Sequence, residues 1–421
     1  MRPYNDKDSY YAGFLFLIWP FLALISAFAN FRKSWAKNVA WAFVAFFGFT
    51  FAIVEGSTSD IVRYVASFQN LYRENLGLAD MASRFIESSQ IDILNTTIVF
   101  TLSLFTDHQA ALTMTYAVIF GYFFSRNIWY VLEKLQGRLR LITIILLVAF
   151  VFIIPIWYIN GFRMWTAAHI FFYGLMPYLF EGKRNRLIFA FAAPLAHFSF
   201  IIPAFLLAVY MVLGNKAALY FGFFIITFFV AEINLSVINQ YVEAFTPERF
   251  QERTEPYRRT GPDDGLDSIM PEDEGTSRNW YIRWYRTSLN WFVVGGLVMI
   301  FLQGRKKIKQ NQGMYSLLSF TLLFYGFANF VSHLPSLGRF LSLAQFVGLA
   351  LILFYIHYYY DDKTIRRYAI IGMPALLLFI IVSIRRSLFF MSSISILGNP
   401  IIALFSAGEN IPLEQFLRML L

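Results

Sequence analysis

Phe-rich apolar runs, each long enough to cross a bilayer, follow one another along this chain, broken only by small basic clusters and one long charged loop. An apolar stretch of about 20 residues matches the hydrocarbon thickness, and in lipid only helices or closed barrels satisfy their own backbone. Barrel strands would alternate apolar and polar residues, and these runs do not. With 58% hydrophobic residues and only 14% charged among 421, the runs leave room for a single hydrophilic insertion. The pattern predicts an all-α polytopic membrane protein, one domain over residues 1–421 with about 11–13 transmembrane or re-entrant helices.

The net charge of +9 does not point to nucleic acid. Many of the Lys and Arg lie in short clusters beside apolar runs, where they set topology, so a lipid bilayer with an anionic surface is the expected partner. The absence of cysteine excludes disulfides, thiol catalysis and Cys-ligated metal. The Ala27-Phe28-Ala29 stretch looks like a cleavage site. However, Asp6 and Asp8 precede it, the apolar run from Tyr11 exceeds a normal leader, and Arg32, Lys33 and Lys37 follow at once. This favours an uncleaved first span.

Four basic clusters fix an orientation: Arg32/Lys33/Lys37, Lys183/Arg184/Arg186, Arg305/Lys306/Lys307/Lys309 and Lys363/Arg366/Arg367. All are expected in the cytoplasm. Spans near Tyr11–Phe31 and Val39–Val54 then put an outer loop over residues 55–92, and a large outer loop over 236–287 follows from the later spans. Both loops are expected to carry short helices. Ile93–Phe105 is too short for a full crossing, and counting it as one would strand Lys134, Arg138 and Arg140 outside, so a half-length helix is expected. Pro194 and Pro203 flank His197 and predict a broken helix there, tolerated where it lines a cavity. Residues Thr246–Ser277 hold nine acidic side chains against four Arg. Residues 408–421 read as an amphipathic interfacial helix, Pro412 opening it and Leu413, Phe416, Leu417 and Leu420 sharing a face.

Ionisable residues kept near apolar segments are candidate functional groups. A helix over Asp60–Tyr72 would gather Asp60, Arg63, Ser67 and Asn70 on one face and Ile61, Val65, Phe68 and Tyr72 on the other. The Asp60–Arg63 pair is either structural or a surface site in which Asp60 acts as base or anchors a sugar hydroxyl. Arg163 lies between two apolar runs that turn at the outer face, against the positive-inside trend, and Arg339 repeats this at a second outer turn, where His333 lies close by in sequence. Each either snorkels or presents a guanidinium fork to a phosphate. Arg385 and Arg386 form a third such pair. His197, inside an apolar run, is either a satisfied helix–helix hydrogen bond or a proton shuttle. Trp280, Tyr281, Trp284 and Tyr285, placed on one helical face, form either an interfacial belt or a stacking surface for sugars, with Arg283 and Arg286 near a phosphate. No metal-ligand spacing, P-loop or dinucleotide fingerprint occurs, and no cofactor is expected.

The order of these residues resembles the EpsG/Wzy-type bacterial polysaccharide polymerases. Asp60 and Tyr64 fit an early Asp-x-x-x-Tyr. Arg163, Ala168 and Lys183 fit an Arg that opens a span ending before a Lys. Leu195, Ala196, His197 and Ser199 fit a Leu-Ala…His-x-Ser, and Arg339-Phe340 fits a late Arg-aromatic pair. Met164 and the long acidic loop depart from the family pattern. The resemblance implies a glycosyltransferase of the bacterial plasma membrane with its active site facing outward, joining undecaprenyl-diphosphate-linked oligosaccharide repeat units. Its implied catalytic residues are Asp60, Arg163, His197 and Arg339, with Arg63, Tyr64, Arg283, Arg286, Trp280, Trp284, His333 and Arg385 around the substrate, and a chain-length-regulating membrane protein as a further partner. An O-antigen ligase, which shares donor and topology, and a flippase for lipid-linked oligosaccharide stay open as alternatives.

Overall fold

A computed structural model describes residues 6–53, 59–74, 77, 80, 83, 92–229, 279–332, 337–406 and 410–420. Residues 75–91 for the most part, the bulk of the 236–287 loop, and His333 lie outside the described residues, as does the Arg283 side chain. Among the described residues the fold is all-α, and the only β-pairing is two single bridges, Phe51 with Met391 and Ser392 with Pro412.

Four segments are long and apolar enough to cross a bilayer: Leu141–Glu181, Trp280–Ile308, Gln312–Val331 and Arg339–Tyr358. A fifth forms if Lys363–Ile371 and Met373–Ser387, bent by 44° at Gly372, count as one. Gln109–Lys134 is a helix of 26 residues with more polar side chains, and the other apolar runs make shorter helices. The expected first span is in fact two helices, Asp6–Ile18 and Pro20–Ala29, because Pro20 has no amide hydrogen to continue the first ladder and suits the opening turn of the second. Residues Ile93–Ser103 form an 11-residue helix, the expected half-length element. The run around His197 breaks as its prolines predict. Leu187–Ala196 ends, His197 adopts an extended backbone at φ −154° and ψ 119°, a 3-10 turn covers Phe198–Phe200, and Ile201–Leu213 resumes.

The 41-residue Leu141–Glu181 stretch is a hairpin. Leu141–Ile153 and Phe162–Glu181 are joined by a 3-10 turn at Ile156–Gly161, and the fold-back brings Phe150 to 5.9 Å from Phe172. Phe346 closes the pair, stacking on Phe150 at 4.3 Å and meeting Phe172 at a tilt at 4.4 Å. His169, fully buried, binds the Ile154 carbonyl across the hairpin and the Asn127 amide, which makes it a satisfied core residue. At the far end Gly182 takes φ +71° and its amide closes the helix on Tyr178, the left-handed cap for which glycine has no steric penalty.

The basic segments converge on one end of the bundle. Lys37 pairs with Glu133 at 3.7 Å, Lys183 and Lys134 both reach Glu181, and Lys307 pairs with Asp362 at 2.9 Å. Tyr358 donates to the Lys134 carbonyl and Arg140 covers the Tyr360 ring. Lys134 and Arg140 therefore share an end with the clusters around Lys37, Lys183 and Lys307, as the half-length Ile93–Ser103 helix requires.

Helices pack at van der Waals distance where glycine allows it. A Cβ on Gly48 would lie 2.1 Å from the Ala117 Cβ, and one on Gly174 would lie 2.5 Å from the Ala190 amide. Gly174→Val should therefore separate Phe162–Glu181 from Leu187–Ala196 at a cost of about 1–3 kcal/mol. A lower thermal midpoint of the detergent-purified protein is the expected outcome, and an unchanged midpoint would contradict this packing.

Candidate functional site

The end opposite the basic segments is organised around Asp92, a residue that stands just before the short Ile93–Ser103 helix. Its side chain is only 5% exposed. Oδ2 accepts from Arg163 Nη1 at 2.8 Å and lies 3.2 Å from His197 Nδ1, while Oδ1 accepts from the Phe198 amide at 2.8 Å. Burial alone would raise the Asp92 pKa. The bond and charge of His197, the Arg163 charge and the Phe198 amide outweigh burial and hold it below the ordinary carboxylate value. Asp92 is therefore ionised, and an ionised carboxylate can only accept. The proton shared with His197 belongs to Nδ1, so neutral imidazole carries its lone pair on Nε2. No described residue hydrogen-bonds that nitrogen.

Arg163 occupies the first turn of Phe162–Glu181, at the tip of the hairpin. Its Nε donates to the Tyr64 hydroxyl at 2.8 Å, so Asp92 and Tyr64 together fix the guanidinium plane. Tyr64 comes from Asp60–Glu74, the expected amphipathic helix, with Ile61, Val65 and Phe68 buried as its apolar period predicts. Tyr72, expected on the same face, is 40% exposed, while its neighbour Leu71 packs on the core. Burial and the Asp60 charge push the Tyr64 phenol up, while the Arg163 and Arg339 charges pull it back.

That balance brings Arg339 into the electrostatics of the site. Arg339 starts the Arg339–Tyr358 helix, and its neighbour Phe340 packs edge-on against Phe200, 5.9 Å away and three residues past His197. Asp60 belongs to the same region. It pairs with Arg63, and its Oδ2 lies 3.9 Å from where a Cβ on Gly161 would be. Gly161 carries no side chain because Trp165 already fills that space. Asn160 accepts from the Ile61 amide at 3.4 Å and ties this helix to the hairpin turn. Below lies an aromatic layer in which Phe162 stacks on Tyr116 at 4.0 Å and Tyr116 meets Tyr64 edge-on.

Asp60, Tyr64, Arg163, His197 and Arg339 are thus gathered from four separate stretches of chain. A second cationic group adjoins them. Arg286 and Arg386 both donate to the Tyr285 hydroxyl, and Arg286 also reaches Tyr158 on the hairpin turn at 3.3 Å. The expected single aromatic face divides in two: Trp280 and Trp284 are 68% and 53% exposed, whereas Tyr281 and Tyr285 turn towards Arg385 and Arg386. Of that basic pair Arg386 is buried and Arg385 is on the surface. Asp92 was invisible to motif reading; its only sequence signal is a carboxylate placed directly before an apolar run too short to cross. Among the described residues no His, Asp or Glu joins Asp92 and His197 to complete a metal-binding set.

Asp92→Asn removes the charge but leaves the shape, and weakening its bonds to Arg163 and His197 should cost about 1–3 kcal/mol. Because its folded pKa is lowered, Asp92 gives its full stabilisation above the ordinary carboxylate value of 3.8 and loses it as pH falls through the lower folded value. Below about pH 5 the gap in unfolding midpoint between wild type and Asp92→Asn should shrink as the pH falls. A gap that instead widened below about pH 5 would contradict the ionised assignment.

Comparison with curated proteins and with solved structures finds no significant match. The profile of the EpsG family matches residues 38–395, a stretch that takes in Asp60, Asp92, Arg163, His197, Arg339 and the Tyr285 cluster. This chain belongs to the EpsG family.

Proposed function

We propose that this protein is a polysaccharide polymerase that joins undecaprenyl-diphosphate-linked oligosaccharide repeat units at the outer face of the bacterial plasma membrane. Membership of the EpsG family suggests the polymerase role. The observation that carries the finer reading is the Asp92–His197 pair held beside the fixed Arg163 guanidinium. The donor is the growing chain on its lipid diphosphate, and the acceptor is a new lipid-linked unit. An acceptor hydroxyl attacks the anomeric carbon of the donor, its proton passes to His197 Nε2, and the bond from that carbon to the diphosphate oxygen breaks. Asp92 keeps His197 in the tautomer that can accept and steadies the imidazolium that forms, as a buried carboxylate does in other base pairs. Arg163 and Arg339 stabilise the charge that develops on the departing diphosphate. Asp60 orients the acceptor hydroxyl. Trp280, Trp284, Arg286, Arg385 and Arg63 surround the incoming sugars and phosphates, Arg283 and His333 are further substrate residues by the family resemblance alone, and a chain-length-regulating membrane protein is a further partner.

Purified protein incubated with a lipid-linked repeat unit should give a ladder of products. A single transfer to a different lipid would mean a ligase, and no product would favour transport. His197→Gln should lower the rate by about 10²–10⁴-fold, and Asp92→Asn should do the same by reversing the tautomer. Arg163→Lys should cost about 10²–10³-fold, since the fork is lost while the charge stays. Full chain extension by His197→Gln would end its role as base, and normal polymer length with Asp60→Asn would end the role given to Asp60.

A further inference from the structure

The Phe162–Glu181 helix carries the chain about 27 Å from Arg163 to Glu181, and at its far end a second cleft opens that the proposed chemistry does not use. A cavity of about 300 Å³ lies there, with Lys37, Arg126, Lys134, Lys183 and Arg186 facing two carboxylates, Glu133 and Glu181. The lysines occupy both carboxylates: Lys134 and Lys183 share Glu181, and Lys37 is 3.7 Å from Glu133.

The two arginines are held differently. Arg126 donates to the Asn38 side chain at 2.7 Å and to Ser125 at 2.9 Å, and its guanidinium lies 4.5 Å from the Tyr122 ring centre and 4.9 Å from that of Trp41. Arg186 donates to the Tyr173 hydroxyl at 2.7 Å and covers the same ring at 5.1 Å. Tyr122 and Tyr173 meet edge-on at 6.5 Å, so one aromatic pair positions both guanidiniums. Every one of these partners is neutral, and neither arginine has a carboxylate partner among the described residues. Stacking on an aromatic face and hydrogen bonding to neutral groups fix a guanidinium while leaving its charge uncompensated. Two such forks beside three lysines suit a tetrahedral oxyanion, which takes bidentate bonds from arginine. Basic pockets between membrane helices on the cytoplasmic side receive anionic headgroups in this way.

We infer that this cleft binds the phosphate group of a small anion or of an anionic lipid headgroup, remote from the Asp92 site. Its description as cytoplasmic rests on the outward placement of the Arg163 end in the proposed function; binding does not, and is measured without any polymerisation. The full chain, purified in neutral detergent, would be titrated separately with phosphatidylglycerol, phosphatidylcholine and inorganic phosphate, following the thermal midpoint and, for the lipids, retention in native mass spectrometry. Phosphatidylglycerol is expected to raise the midpoint and to be retained, and Arg126→Gln/Arg186→Gln to weaken that binding by about tenfold or more. Stabilisation by inorganic phosphate alone, lost in the same variant, would assign the site to a soluble phosphate. Arg186→Gln by itself, outside the long helices, covers the case in which the double variant does not fold, and should weaken binding in the same direction. Equal retention of both lipids with no effect of phosphate, or variants that bind as wild type does, would overturn the inference.

Discussion

One buried carboxylate holds together three places where the chain departs from regular helix. Asp92 precedes a short helix, Arg163 opens the second arm of a hairpin, and His197 with Phe198 interrupts a third run. Each interruption leaves a charge or a backbone donor that lipid cannot satisfy. Asp92 answers all three with two oxygens. The same bonds that make the broken helices tolerable also fix the imidazole and the guanidinium relative to each other, so structural need and chemical order have a common origin.

This arrangement stands on a stiff base. Phe162 stacks on Tyr116, Tyr116 meets Tyr64, and the hairpin below is locked by Phe150, Phe172 and Phe346 and by the His169–Asn127 contact. Interiors packed at this density transmit small displacements rather than absorb them. A hairpin tip held in this way keeps Arg163 where Tyr64 and Asp92 can both reach it. The same helix carries a second set of charges at its far end, where lysines from separate clusters meet Glu133 and Glu181. The molecule is thus divided into two polar ends by its aromatic middle.

Much of the architecture was legible because membrane helices obey strong local rules. Pro194 and Pro203 announced the break at His197, the length of Ile93–Ser103 announced a half-helix, and the period of Asp60–Glu74 announced its buried face. Arg163 and Arg339 stood out because each adjoins an apolar run away from the basic clusters. Other features depended on context. Pro20 divided the first span, Trp280 and Trp284 stayed exposed while Tyr281 and Tyr285 met arginines, and Tyr72 stayed exposed beside a core-packed Leu71. A helical face read from spacing says which residues lie together, not how wide a neighbour covers them.

The sequence by itself determined the class of fold and the residue types that interrupt its apolar runs, since hydropathy, charge placement and proline act over a few neighbouring residues. Only the tertiary structure decided which of those residues touch. Asp92 shows why. Its neighbours in sequence are apolar and give it no role, and its partners lie 71 to 106 positions away. A buried carboxylate takes its meaning from the donors that folding brings to it, and spacing along the chain carries no record of them.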